Sequence, residues 1–168
     1  MALFYTYIYK VKSGTLSEIK KELQELEPKQ LAELCIALAK YKKDNKEYLD
    51  YLLFEAHDKS GFVTQVKTEV DKQFSELHPD TNLYYAKKSL RKILRIINKY
   101  IKYIGDKGVA AELHIYFCVK LKASKIPVEK SARLVNLKAA EIKKINSLIE
   151  SLHPDLQYDY LKELETIL

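Results

Sequence analysis

The chain is 168 residues long, within the range of about 50 to 250 residues for one compact domain, and long enough to fold without a disulfide or a metal. Two cysteines exclude a disulfide-rich scaffold, and only 4 Gly and 4 Pro beside a hydrophobic share of 47% exclude intrinsic disorder. A formal charge of +6, from 29 basic and 23 acidic residues, is a modest excess whose distribution matters more than its size.

Met1 to Val11 is aromatic and lacks the leading charge and small-residue cleavage site of an export signal, so a cytoplasmic protein is expected. Tyr5, Tyr7 and Tyr9 alternate, the pattern of a strand over Leu3 to Tyr9 or of an extended arm over residues 1–12. Beyond it every element reads as a helix. Thr15 with Glu18 forms a capping box that opens a helix through Leu16, Ile19, Leu23 and Leu26. Leu31, Leu34, Cys35 and Leu38 recur at helical spacing after Pro28. Glu47 to His57 carries Tyr48, Leu49, Tyr51, Leu52, Leu53 and Phe54, which leaves little polar face and predicts a largely buried helix. Phe62, Val66, Val70, Phe74 and Leu77 mark the next, with a narrow apolar seam.

Residues 82–104 form the longest element, with an apolar stripe from Leu83 and Ala86 to Ile101 and Ile104. At 1.5 Å per residue it spans about 33 Å, enough for the spine of the domain. Val109 to Lys122, Pro127 to Asn136, Ala139 to Leu152 and Gln157 to Ile167 complete the set. The expectation is a single all-α domain over 1–168, a compact bundle or short superhelix of eight or nine helices.

Ala32-Glu33-Leu34-Cys35-Ile36 is echoed by Ala111-Glu112-Leu113-His114-Ile115, and Leu77-His78-Pro79-Asp80 by Leu152-His153-Pro154-Asp155. These echoes suggest a duplicated unit with halves at about 28–104 and 107–168. The architecture would then resemble the stacked helical hairpins of HEAT-like repeats, a resemblance that implies no function. His-Pro-Asp also resembles the signature loop of J-domain co-chaperones, but the helix before His78 carries Glu69, Asp71 and Glu76 rather than a strongly basic face. Each copy reads instead as a proline stop followed by a cap from Asp80, Asn82 or Asp155.

The main chemical signal lies in the long helix, which has seven cations and no acid. Spacing of three and four residues sets Lys88, Arg91, Lys92, Arg95, Lys99 and Lys102 along one face, opposite the apolar stripe. Like charges at that spacing repel, and the relief comes either from phosphates or from the chain's own acids. Asp44, Glu47, Asp50, Glu55 and Asp58 form an acidic stretch suited to the second role.

Another signal lies at 127–149. Ala132 at a helix contact, Asn136 at a turn, and Val135, Leu137, Ile142 and Ile145 at apolar positions resemble a helix-turn-helix of DNA-binding proteins. That resemblance places Lys138, Lys143 and Lys144 on or near a recognition helix.

His57, His78, His114 and His153 are dispersed, Cys35 and Cys118 lie on apolar helical faces, and no phosphate loop, nucleophile elbow or metal-ligand spacing appears. No enzyme, cofactor or metal is expected, and no membrane association. The 13 tyrosines, with no tryptophan, suit core edges, interfaces and base stacking alike. The first functional expectation is therefore a non-enzymatic module that binds a protein partner. The alternative is a nucleic-acid binder using the basic face of 82–104 with 127–149 as accessory.

Overall fold

The computed structural model describes residues 13–167, all helix, turn and connection. The strand or arm expected within 1–12 lies outside the described residues. Contacts divide the chain into two units, Met1–Asp50 and Tyr51–Leu168.

The first unit contains α1 (Leu16–Gln24), α2 (Pro28–Tyr41) and α3 (Lys43–Asp50). The capping box forms as expected, with Thr15 N–H donating to Glu18 Oε2 at 2.7 Å and Glu18 N–H to Thr15 Oγ1 at 3.3 Å. The Thr15 N–H first, and the Thr15 hydroxyl that donates to Glu18 Oε2 at 2.9 Å second, hold the Glu18 carboxyl below its usual range. Pro28 occupies the first turn of α2, where its missing N–H costs nothing. Asn45 Nδ2 donates to Leu38 O at 2.9 Å, tying the start of α3 to the end of α2. No side chain of α1, α2 or α3 is buried.

The second unit starts with a π-helical turn, Tyr51–Glu55, closed by Ala56 N–H on Tyr51 O at 2.9 Å. Here the expectation of a buried helix over Glu47 to His57 is corrected. Tyr51 is buried against Phe62 and Tyr103, but Leu52, Leu53 and Phe54 are exposed. Four successive apolar residues point in four directions on any helix, so a run without polar gaps does not by itself specify burial.

Five longer helices follow: α4 (Lys59–Ser75), α5 (Leu83–Ile104), α6 (Lys107–Ala123), α7 (Ala132–Glu150) and α8 (Pro154–Glu165). Cross-links fix their directions. Lys67 reaches Glu112, and Asp71 reaches Tyr116 and Lys120, so α4 and α6 run together. Lys122 Nζ donates to Thr166 O at 2.9 Å, which places the end of α8 beside the end of α6. With α5 and α7 antiparallel to these three, the unit has two layers, α4–α6–α8 and α5–α7. The hub is α6, which packs on α4, α5, α7 and α8 and buries Leu113, Ile115, Phe117 and Leu121 among others. A helix apolar nearly all round has to lie inside. The long helix is therefore one wall of the core rather than its spine.

The segment resembling a helix-turn-helix is not one. Residues Val128–Lys130 form a single 3-10 turn and α7 then runs unbroken from Ala132 through Asn136 to Glu150. A turn at Asn136 needs a positive φ, and among the described residues only Gly105 and Lys125 have one. The reversal falls instead at Lys125, directly after α6.

The duplication is not confirmed. Ala32–Ile36 is exposed on α2, whereas Ala111 and Leu113–Ile115 are buried in α6. The two His-Pro-Asp copies also act differently. His153 caps α8 with Pro154 in its first turn, whereas His78 lies in a turn closed by Thr81 and Asn82 caps α5. Among the described residues no helix is long and apolar enough to cross a membrane.

Candidate functional site

Asn82 opens α5 by accepting from Tyr84 N–H at 2.9 Å. Gly105, at φ 67°, ends it with its N–H on Ile101 O, a left-handed cap that a side chain would strain. Between these caps the helix is continuous, so its inner side buries Ala86, Leu90, Ile93, Leu94 and Ile97 and the cations are carried outward together.

Lys88, Arg91, Lys92, Arg95 and Lys102 are exposed. None of the five forms an ion pair with a carboxylate among the described residues. Members of the expected acidic cover have partners of their own. Asp44 pairs with Lys42 and Glu47 with Lys43, Glu55 accepts from Gln65, and Asp58 caps α4 through Gly61 N–H at 2.9 Å. Lys99 is set apart from the others. Its ammonium lies 4.5 Å above the Tyr100 ring, beside a hollow of about 400 Å³ that Gln65 and Glu69 also line.

A larger hollow, of about 530 Å³, follows the outer side of α5 from Tyr84 past Lys88, Arg91 and Arg95 to Asn98, with Leu94 in its lining. Helix α7 flanks it. Lys144 Nζ donates to Asn98 Oδ1 at 2.8 Å at one end. Towards the other, partial withdrawal from water and then the charges of Arg133 and Arg91 hold the Lys87 ammonium below the usual lysine range. Two cations of α7 thus act on residues of α5 that line this depression.

The three accessory lysines are not brought together. Lys144 reaches α5, Lys143 lines a separate hollow with Ile142 and Asn146, and the charge of Lys138 bears on Cys118. Arg133 and Asn98 lie outside the basic residues that helical spacing marks in the sequence. Positions 133 and 144 are three helical turns apart, hence on one face, a relation visible only once α7 is known to be a single helix.

The chain matches no family model, no curated protein and no solved structure.

A second polar cluster is enclosed between α6 and α7. His114 is fully buried, with Nδ1 2.7 Å from Glu141 Oε2, although neither ring nitrogen is aligned in a hydrogen bond. One turn on, burial first and Glu141 second push the Cys118 thiol up to about 12, leaving it protonated and poorly nucleophilic at neutral pH. Cys35 is exposed. Among the described residues no group of three His, Cys, Asp or Glu side chains is placed to hold a metal ion.

Proposed function

We propose that this chain is a non-enzymatic binding module whose ligand is a nucleic acid and whose working surface is the outer side of α5. The observation that carries this reading is that, among the described residues, no carboxylate forms an ion pair with Lys88, Arg91, Lys92, Arg95 or Lys102. Like charges three and four residues apart cost a few tenths of a kcal/mol per pair. Phosphates offset that cost and release counterions as they bind. Arg133 and Lys144 of α7 extend the positive field beyond one helix.

The test is fluorescence anisotropy of a labelled oligonucleotide at about 50 and about 200 mM salt. Affinity should fall steeply with salt. The double variant Arg91→Glu/Arg95→Glu should bind about 100-fold more weakly, with a salt slope reduced by about two phosphate contacts. A separate observation favours a protein partner: Leu34, Ile36 and Leu38 of α2 are exposed. Failure of DNA and RNA to bind at low salt would overturn the first reading in favour of this one.

A further inference from the structure

Resting on the nucleic-acid reading above, we infer that the ligand is single-stranded, lying along the hollow on the outer side of α5 with one of its bases stacked on Tyr84. Three observations lead there. The first is the position of α7. A helix reads a duplex by entering the major groove, about 12 Å wide, with its reading side unobstructed. The cationic side of α5 is instead flanked by α7, held at Asn98 by Lys144, so a second helix accompanies the reading side and a duplex meets only the outer rim. A depression of about 530 Å³ admits the bases and backbone of a separated strand.

The second observation is the aromatic group at its end. Tyr84 lines the hollow yet leaves 65% of its surface in water. Tyr85 meets it edge to face, ring centres 5.4 Å apart, which restrains the ring without covering it. A flat apolar surface beside cations is the combination that proteins use for unpaired bases, because every base offers a face to stack while its phosphate finds a positive charge. A duplex keeps its bases stacked on each other and gains nothing from such a ring.

The third is length. From Tyr84 to Asn98 the helix rises about 21 Å, a stretch suited to about four nucleotides, at the low end of single-strand binding sites. Lys88, Arg91 and Arg95 fall along this length on the lining of the hollow, where phosphates of a strand lying in it would meet them.

The experiment compares, on the full chain, three labelled oligomers of equal length: a single-stranded oligodeoxythymidine, its duplex with oligodeoxyadenosine, and an abasic strand of the same charge. The single strand should bind about tenfold more tightly than either of the others. Tyr84→Ala should cost it about tenfold, Tyr84→Phe should restore most of the affinity, and the abasic strand should be indifferent to both. A duplex that binds as well as the single strand, or a Tyr84→Ala protein that keeps full affinity, overturns the inference. These failures differ from failure of the underlying reading, in which no oligomer binds or binding survives Arg91→Glu/Arg95→Glu. Because Tyr84 is largely in solvent, circular dichroism melting of the variants should match the parent protein.

Discussion

Along the seam between α4 and α6 the cations are matched: Lys59 with Asp106 at 2.8 Å, Lys67 with Glu112 at 2.6 Å, and Lys120 with Asp71 at 2.8 Å. Along the outer side of α5, one helix away, Lys88, Arg91, Lys92 and Arg95 have no such partners among the described residues. The seam also places Lys67 and Lys120 5.1 and 5.0 Å from the ring centre of Tyr116, whose hydroxyl donates to Asp71 at 2.7 Å. Burial foremost, then the bond to Asp71, pushes that hydroxyl above the ordinary tyrosine range. Charge in the seam therefore serves packing. Like charges three and four residues apart on α5 oppose helix stability, which is the physical ground for the proposal that they serve a ligand.

The sharpest way to break this contrast is to exchange the expected effects. Arg91→Glu/Arg95→Glu should weaken binding about 100-fold without loss of stability, whereas Asp71→Ala should do the reverse. Removing that carboxylate strips Tyr116 and Lys120 of their shared acceptor, a loss of about 1–2 kcal/mol for half-buried groups. Urea unfolding should show it while oligonucleotide affinity stays within about twofold, the latter expected because the seam lies away from the hollow. Loss of binding in Asp71→Ala at unchanged stability would contradict the division of labour.

A smaller effect of opposite sign sharpens the comparison. Arg95→Glu sets a carboxylate three and four residues from Lys92 and Arg91, replacing repulsion by attraction, and should stabilise the protein by about 0.5 kcal/mol. A thermal midpoint that rises as affinity falls identifies a surface kept for binding. A midpoint that falls would mean that Arg95 has a structural role.

How far these two regions are legible from residues alone differs, for physical reasons. The course of α5 is written in neighbours: Asn82 caps, Gly105 stops, and the apolar stripe between them recurs at helical spacing. The seam is not, because Lys67 and Glu112, or Asp71 and Tyr116, stand 45 positions apart and meet only after α5 folds back between them. The hollow depends on the same kind of long-range fact. Asn136 has the chemistry of a turn but lies in the interior of a helix that packs on α6, where tertiary contact overrides a weak local preference. Splitting α7 there hides the alignment of Arg133 with Lys144. Tyr51 to Phe54 shows the limit of composition, since a π turn buries the first and exposes the other three.

The smallest expected effect is on pH dependence, and it too separates the two regions. Lys59 first, with the N–H groups of Val109 and Gly108, holds the Asp106 carboxyl below its usual range. For Asp71 burial acts to raise the pKa, but the bonds from Lys120 and Tyr116 outweigh it and the net shift is downward. A carboxyl lowered on folding adds stability at pH above its unfolded value, about 4, and that contribution is lost as pH falls through the folded value, because the unfolded chain takes up the proton first. Both side chains are more than a third exposed, Asp106 at 37% and Asp71 at 43%, so solvent screens the gain and the loss is slight. Urea midpoints should decline between about pH 5 and about pH 3, and less steeply in Asp71→Ala. The face of α5 contains no carboxylate. Over the same interval, as long as the protein stays folded, affinity for the single strand should hold steady; a parallel loss would mean that an acid of this chain belongs to the binding surface.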